Sequence, residues 1–122
     1  MKRRVLVAVD DLFFAAKIRT AAEHLDIETV FPRSLDALGA SAREFAPALV
    51  IVDLHLQRFD PFAVAHQLKA DETLRATPLV GFFSHVQVEL QGRAVQSGFD
   101  HVLPRSAFTR RLPEILQGQI KV

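Results

Sequence analysis

Short runs of apolar, largely β-branched residues recur along this sequence, and they restrict the fold more than any other feature. Residues 5–9, 48–52 and Leu79–Phe83 contain no polar side chain, so they lack the alternation of a strand with one face in water. Strands of this kind are buried on both faces, as in parallel sheets covered by helices. Residues 27–31 and 100–103 predict two further, shorter strands.

Two segments carry apolar residues at helical spacing: the first lies between residues 5–9 and 27–31, and the second between residues 27–31 and 48–52. In the first segment the apolar stripe consists of Phe14, Ile18, Ala21 and Leu25. In the second segment Ser34 is placed to cap a helix. The core face of that helix would consist of Leu35, Leu38, Ala42 and Phe45. Each of these two segments therefore predicts a helix that packs on the sheet.

Three more helices are predicted in the second half of the chain. The helix over residues 61–70 has Pro61 in its first turn, where proline is favoured. A weaker helix over residues 86–97 is followed by Gly98, which suits a C-terminal cap. The last helix contains Pro113, so we expect it to start late or to kink there. Its apolar face would consist of Phe108, Leu112, Ile115 and Leu116.

Five strands alternating with five helices predict an α/β fold with one parallel sheet. We expect right-handed crossovers and a three-layer α/β/α sandwich. At this length the flavodoxin-like strand order 2-1-3-4-5 is favoured, with ligands at the carboxyl ends of the first and third strands. The sequence predicts a single domain over residues 1–122, with no output domain.

Composition excludes several function classes. The 122 residues include no cysteine, which rules out disulfides, thiol nucleophiles and zinc thiolate sites. The net charge of +1 is too balanced to favour a nucleic acid or an anionic membrane as a direct partner. No run is long enough to span a membrane or to act as a secretion signal, so we expect a cytoplasmic protein. Glycine-rich nucleotide loops and a hydrolase Gly-x-Ser-x-Gly turn are also absent from the sequence.

Polar residues that can carry chemistry follow four of the predicted strands. Asp10 and Asp11 follow the first strand, Asp53 the third, Ser84 the fourth and Arg105 the fifth. In the predicted strand order they meet at one edge of the sheet, where three carboxylates would repel one another strongly unless a cation joined them. Carboxylate oxygens with room for water suit Mg²⁺, and an aspartate can accept a phosphoryl group as an acyl phosphate.

Each of these residues also has an ordinary structural interpretation. Asp10 and Asp11 could cap the first helix, and Ser84 could cap the helix that follows it. Asp53 could be a turn residue, and Arg105 a solvated surface charge. The functional interpretation depends on their joint placement, because all five positions fall at one edge of one sheet.

With these residues in these places, the sequence resembles the receiver domains of two-component response regulators. The family carries an acidic pair after strand 1, a phospho-acceptor aspartate after strand 3 and Thr or Ser after strand 4. Here these are Asp10-Asp11, Asp53 and Ser84. The family also has a Gly-x-Asp-x-x-x-x-Lys-Pro stretch, which matches residues 98–106 with Arg105 in the lysine position.

The resemblance implies a phosphorelay function rather than an enzyme acting on outside substrates. Asp53 would accept a phosphoryl group from a histidine kinase or a phosphotransfer protein. Asp11, Asp53 and the carbonyl of His55 would bind Mg²⁺, with Asp10 helping through water or a hydrogen bond. Ser84 and Arg105 would contact the phosphoryl oxygens. Phosphorylation would then switch binding of a downstream protein, or homodimerisation, at the face formed by the fourth helix, fifth strand and fifth helix.

Several positions depart from the family pattern and favour a second hypothesis. The family lysine is replaced by Arg105, or by Leu103 if Pro104 is aligned with the family proline. Gln57 stands where proline is usual, and Val102 replaces the usual switch aromatic. His85 stands where a small residue normally leaves the acceptor aspartate open to a phosphodonor. The alternative is therefore an atypical pseudo-receiver that serves as a phosphorylation-independent protein-interaction scaffold.

Overall fold

In the computed structural model, which describes residues 2–84 and 88–119, five parallel strands form one sheet of order β2-β1-β3-β4-β5. The strands are β1 (Arg4–Ala8), β2 (Glu28–Val30), β3 (Leu49–Asp53), β4 (Leu79–Phe83) and β5 (His101–Pro104). The helices are α1 (Leu12–His24), α2 (Leu35–Phe45), α3 (Pro61–Ala70), α4 (Val88–Ser97), α5 (Arg105–Arg110) and α6 (Leu112–Leu116). The predicted fold class and strand order are confirmed.

Alternate residues of the buried strands point to opposite faces of the sheet and divide the core in two. On β1, Leu6 and Ala8 pack with α2, α3 and α4, whereas Val5 and Val7 pack with α1, α5 and α6. All four are fully buried. A strand with helices on both faces has no position for a polar side chain, which explains the unbroken apolar runs in the sequence.

The cap predicted at Ser34 forms, and Gly98 closes α4 as expected. The Ser34 hydroxyl accepts a hydrogen bond of 3.0 Å from the Ala37 amide at the start of α2. After α4, Gly98 adopts a φ of 116°, a conformation that glycine takes without strain. The Phe99 amide then bonds back to the Ala94 carbonyl at 3.1 Å.

Several element boundaries differ from the prediction. β1 lies one residue earlier than predicted, and β3 and β5 lie one residue later. β2 spans three residues rather than 27–31, because the Ile27 amide bonds to the Ala22 carbonyl of the preceding helix at 2.8 Å instead of joining the sheet. The predicted last helix is divided at Arg111 into α5 and α6, since the Pro113 ring cannot follow an unbroken helical turn. α4 begins at Val88, and the predicted start of that helix at residue 86 lies outside the described residues.

Candidate functional site

The structure brings the predicted site residues to the carboxyl edge of the sheet. Asp10 and Asp11 follow β1, and Asp53 is the last residue of β3, the neighbour of β1. Ser84 follows β4, and Arg105 begins α5 directly after β5. Parallel strands all point the same way, so residues that follow them collect at a single edge.

Asp11 combines a structural contact with an electrostatic one. Its Oδ1 accepts hydrogen bonds from the amides of Phe13 and Phe14, at 2.9 and 3.1 Å, and so caps α1. Its Oδ2 lies 3.3 Å from the Arg105 guanidinium. The Phe14 amide and Arg105 both hold the pKa of this carboxyl below its usual value. The capping interpretation is thus correct for Asp11, and it coexists with an ion pair at the site.

Asp10 does not cap α1 but fastens the loop that follows β3. Its Oδ2 accepts hydrogen bonds from the amides of Gln57 and Arg58, at 2.7 and 3.3 Å. The Arg58 side chain also approaches Oδ1, at 3.9 Å. The loop after Asp53 is therefore tied to the end of β1 by these hydrogen bonds.

Asp53 is a half-buried carboxylate at the end of β3. Its Oδ1 accepts a hydrogen bond of 2.8 Å from the His55 amide. Burial raises the pKa of the Asp53 carboxyl, and the nearby charge of Asp10 acts in the same direction. The His55 amide and the positive charge of Arg105 lower this pKa and offset part of the effect of burial. The Asp53 carboxylate therefore lies in an environment that penalises its charge.

Arg105 is held from two sides. Besides its ion pair with Asp11, the guanidinium carbon lies 4.0 Å from the centroid of the Phe14 ring. That ring packs on Phe82 and Phe108, at centroid distances of 5.1 and 5.9 Å, within the core. The sequence identified Arg105 but not this aromatic support, because Phe14 was assigned only to the core stripe of its helix.

Other predicted site positions have less defined roles in the geometry. Ser84 is exposed at the end of β4, and its hydroxyl makes no hydrogen bond to the described residues. The carbonyl of His55 accepts a bond of 3.3 Å from the Gln57 side chain. Val102 is partly buried in β5 and pairs with Gly81. His85, the residue expected to close the pocket, lies outside the described residues.

The oxygen atoms of the site are the ligand type that a hard divalent cation prefers. In the structure, however, two of the carboxylates contact amides and arginines and do not converge on a common point. Three carboxylates and a backbone carbonyl are oxygen ligands of the kind Mg²⁺ prefers. Over residues 2–84 and 88–119, however, no three acidic or histidine side chains converge to hold a metal ion. Asp10 and Asp11 are instead turned towards backbone amides and arginines. The sequence reasoning missed Arg58 as a counterion, since nothing local indicates that it meets Asp10.

The described helices include none that is long and apolar enough to cross a membrane. No protein-family model and no curated protein matches this chain.

Solved structures that resemble this chain include several response regulators. A phosphorylated cyanobacterial phytochrome response regulator, RcpA, superposes with a TM-score of 0.78 at 22% identity, covering 97% of this chain and 91% of its own. The chemotaxis response regulator CheY4 of Vibrio cholerae gives a TM-score of 0.83 at 14% identity, covering 98% of this chain and all 100% of its own. The Mn²⁺-bound response regulator Rcp1 gives 0.74 at 19% identity, covering 95% and 90%. The likeness is one of fold, and it confirms the receiver-type architecture expected from the sequence.

Proposed function

We propose that this chain is a receiver domain that accepts a phosphoryl group on Asp53 and thereby switches the binding of a protein partner. The observation that carries the proposal is the position of Asp53. It is a half-buried carboxylate at the end of β3, beside an acidic pair and within the electrostatic influence of Arg105. The fold shared with response regulators supports this assignment.

The proposed chemistry is a phosphoryl transfer from a phosphohistidine. A carboxylate oxygen of Asp53 attacks phosphorus, the P–N bond breaks, and the departing imidazole takes up a proton. The product is an acyl phosphate, and the donor is a histidine kinase or a phosphotransfer protein. Arg105 and the Ser84 hydroxyl would contact the phosphoryl oxygens.

Mg²⁺ is the cofactor in this proposal, held by Asp11, Asp53 and the His55 carbonyl, with Asp10 contributing through water. When bound, it would neutralise charge on the phosphoryl oxygens. The protein would act in the cytoplasm as a signalling acceptor. It would catalyse at most its own phosphorylation and dephosphorylation.

The partner surface in this proposal is the face formed by α4, β5 and α5. Val88 and Val95 on α4 are 78% and 62% exposed, although both are apolar. Exposed apolar side chains on one helix are suited to a protein contact, either with a downstream partner or with a second copy of the chain. Phosphorylation would shift the equilibrium between two arrangements of this face.

The test is modification of Asp53 by a small phosphodonor. We would incubate the protein with acetyl phosphate and Mg²⁺, record the intact mass, and use beryllofluoride to follow NMR shifts. The proposal expects addition of one phosphoryl group that requires both Mg²⁺ and Asp53, with Asp53→Asn as the matched control. An unmodified wild-type chain, or equal modification of the Asp53→Asn variant, would refute it.

The pseudo-receiver scaffold is the second candidate, and a specific contact favours it. The ion pair between Arg105 and Asp11 already neutralises part of the acidic site. Leu12 and Phe13, which are 82% and 90% exposed, offer an apolar surface beside that pair. A scaffold would bind its partner equally well with Asp53→Asn, whereas a phosphorylation switch would not.

A further inference from the structure

The acidic pair of this chain carries two arginines as its own counterions. Arg105 lies 3.3 Å from Asp11, and Arg58 lies 3.9 Å from Asp10. Arg58 lies in the loop after β3, and Arg105 lies at the start of α5, so the two arginines come from different parts of the chain. The negative charge that would attract a divalent cation is thus partly balanced by the protein itself.

The carboxylate of Asp11 has both oxygens occupied. Oδ1 accepts two amide hydrogen bonds from the first turn of α1, and Oδ2 faces the guanidinium of Arg105. Because Oδ1 already accepts two hydrogen bonds, a metal ion that used Asp11 as a ligand would approach Oδ2, the oxygen that Arg105 contacts. Two cations cannot both occupy that position, because they would repel each other at short range.

Arg105 is positioned by more than its ion pair. Its guanidinium carbon lies 4.0 Å from the centroid of the Phe14 ring, a cation–π distance. A lysine ammonium is a compact point charge and differs from the broad, planar guanidinium in how it can meet that ring. The Phe14 ring is 4% exposed and is held by two other core aromatics. The guanidinium is therefore supported by the core rather than left free in solvent.

We infer that Arg105 competes with divalent cations for Asp11 and sets the metal affinity of this acidic edge. This inference rests on the proposed function, of which it describes the regulation. Either a divalent cation or the Arg105 guanidinium contacts Oδ2 of Asp11, but not both at the same time. Arg105 thus holds the site in a low-affinity state until it moves.

The test is a titration with Mn²⁺ alone. Binding is monitored by the paramagnetic broadening of backbone amide signals in NMR spectra. We would compare the wild-type chain with Arg105→Gln, which removes the charge, and with Arg105→Lys, which keeps the charge but replaces the guanidinium that lies over Phe14. The expected result is weak binding by the wild type, binding on the order of tenfold tighter by Arg105→Gln, and intermediate binding by Arg105→Lys. Broadening should centre on Asp11 and Asp53 in each case.

Arg75→Gln is the matched control, because it removes one positive charge before β4, at the opposite edge of the sheet. Its Mn²⁺ affinity should equal that of the wild type. Equal affinity of the wild type and Arg105→Gln, the same gain in Arg75→Gln, or no binding by any variant would each overturn the inference. Thermal unfolding of every variant checks folding, and Arg105→Lys serves if the glutamine variant unfolds.

Acetyl phosphate treatment of the same variants separates this inference from the proposed function. Tighter Mn²⁺ binding by Arg105→Gln without modification of Asp53 in any variant would support the competition and refute the phospho-acceptor role. Modification of Asp53 together with an Mn²⁺ affinity that is the same in Arg105→Gln as in the wild type would support the phospho-acceptor role and refute the competition.

Discussion

Asp53 is partly buried, whereas Asp11 is exposed, ion-paired and hydrogen-bonded. Burial raises the pKa of the Asp53 carboxyl, so the folded protein binds this proton more tightly than the unfolded chain does. The resulting stability is fully present below the ordinary carboxyl pKa and is lost as pH rises through the raised pKa. At neutral pH the folded protein therefore bears the cost of a buried charge.

We predict that Asp53→Asn increases the free energy of unfolding at pH 7. Asparagine keeps an oxygen that can accept the His55 amide hydrogen bond but removes the charge. The gain over the wild type should shrink as pH falls through the carboxyl range. Urea denaturation at a series of pH values would measure it.

The matched control for this prediction is Glu44→Gln, which neutralises an exposed carboxylate in α2. We expect little change from that substitution. A lower free energy of unfolding for Asp53→Asn at pH 7, or a gain that does not vary with pH, would contradict the role assigned to burial.

The attachment of α5 depends on one aromatic side chain. Phe108 is fully buried, and its ring stacks on Phe82 of β4 at a centroid distance of 4.6 Å. It also contacts Phe14 of α1, at 5.9 Å. These three rings join two helices to the sheet directly beneath the carboxyl edge, so they also determine where Arg105 can lie.

We predict that Phe108→Ala lowers the free energy of unfolding by about 3–5 kcal/mol, the usual cost of removing a buried ring. Phe13→Ala is the matched control, because Phe13 is 90% exposed on α1. It should change stability by less than about 0.5 kcal/mol. Guanidinium denaturation would measure both, and equal losses would show that the aromatic cluster does not anchor α5.

At the start of α2, the cap formed by Ser34 is a second local contribution to stability. We predict that Ser34→Ala costs about 1 kcal/mol, because the Ala37 amide loses its acceptor. Ser41→Ala lies within the same helix, and alanine there should be neutral or slightly stabilising. Thermal unfolding of the two variants provides the comparison. Similar losses for both would argue against a specific cap.

Local patterns in the sequence predicted most elements, because each strand or helix is encoded by neighbouring residues. The span of β4 and that of α3 match the prediction residue for residue. β2 was predicted too long, since the competing bond from Ile27 to Ala22 depends on how α1 ends. The break at Arg111 followed from Pro113, but its position two residues earlier depends on how α5 closes its last turn.

The two edges of the sheet are specialised differently. At the amino edge, Asp100 accepts hydrogen bonds from the Leu79 amide at 2.8 Å and from Lys69 at 3.1 Å. This single carboxylate connects the end of α3, the first residue of β4 and the approach to β5. The amino edge thus joins elements together, whereas the acidic group lies at the carboxyl edge.

We predict that Asp100→Ala lowers the free energy of unfolding by about 1–2 kcal/mol, because the partly buried Leu79 amide loses its acceptor. The same variant should keep the wild-type Mn²⁺ affinity and the same modification of Asp53, since it lies at the far edge. Chemical denaturation and the Mn²⁺ titration test the two parts. A changed Mn²⁺ affinity would show that the edges are coupled.

At the scale of the whole molecule, the sequence could predict which residues share an edge but not how they pair. Strand order and chain direction suffice to place Asp10, Asp11 and Asp53 together. The bond from the Gln57 amide to Asp10 joins residues 47 positions apart, and the pair of Arg105 with Asp11 spans 94 positions. Such partners depend on side-chain directions in the assembled fold, which no local pattern encodes.

Asp11 also makes the first turn of α1 a reporter on the rest of the acidic edge. The carboxylate that caps this turn through the amides of Phe13 and Phe14 also holds Arg105. A ligand that draws Asp11 away must release these two amides to solvent. Their hydrogen–deuterium exchange would then quicken while the centre of α1 stays protected. Exchange at these two backbone positions can thus distinguish a ligand that only replaces Arg105 at Oδ2 from one that also breaks the cap, without any label on the ligand.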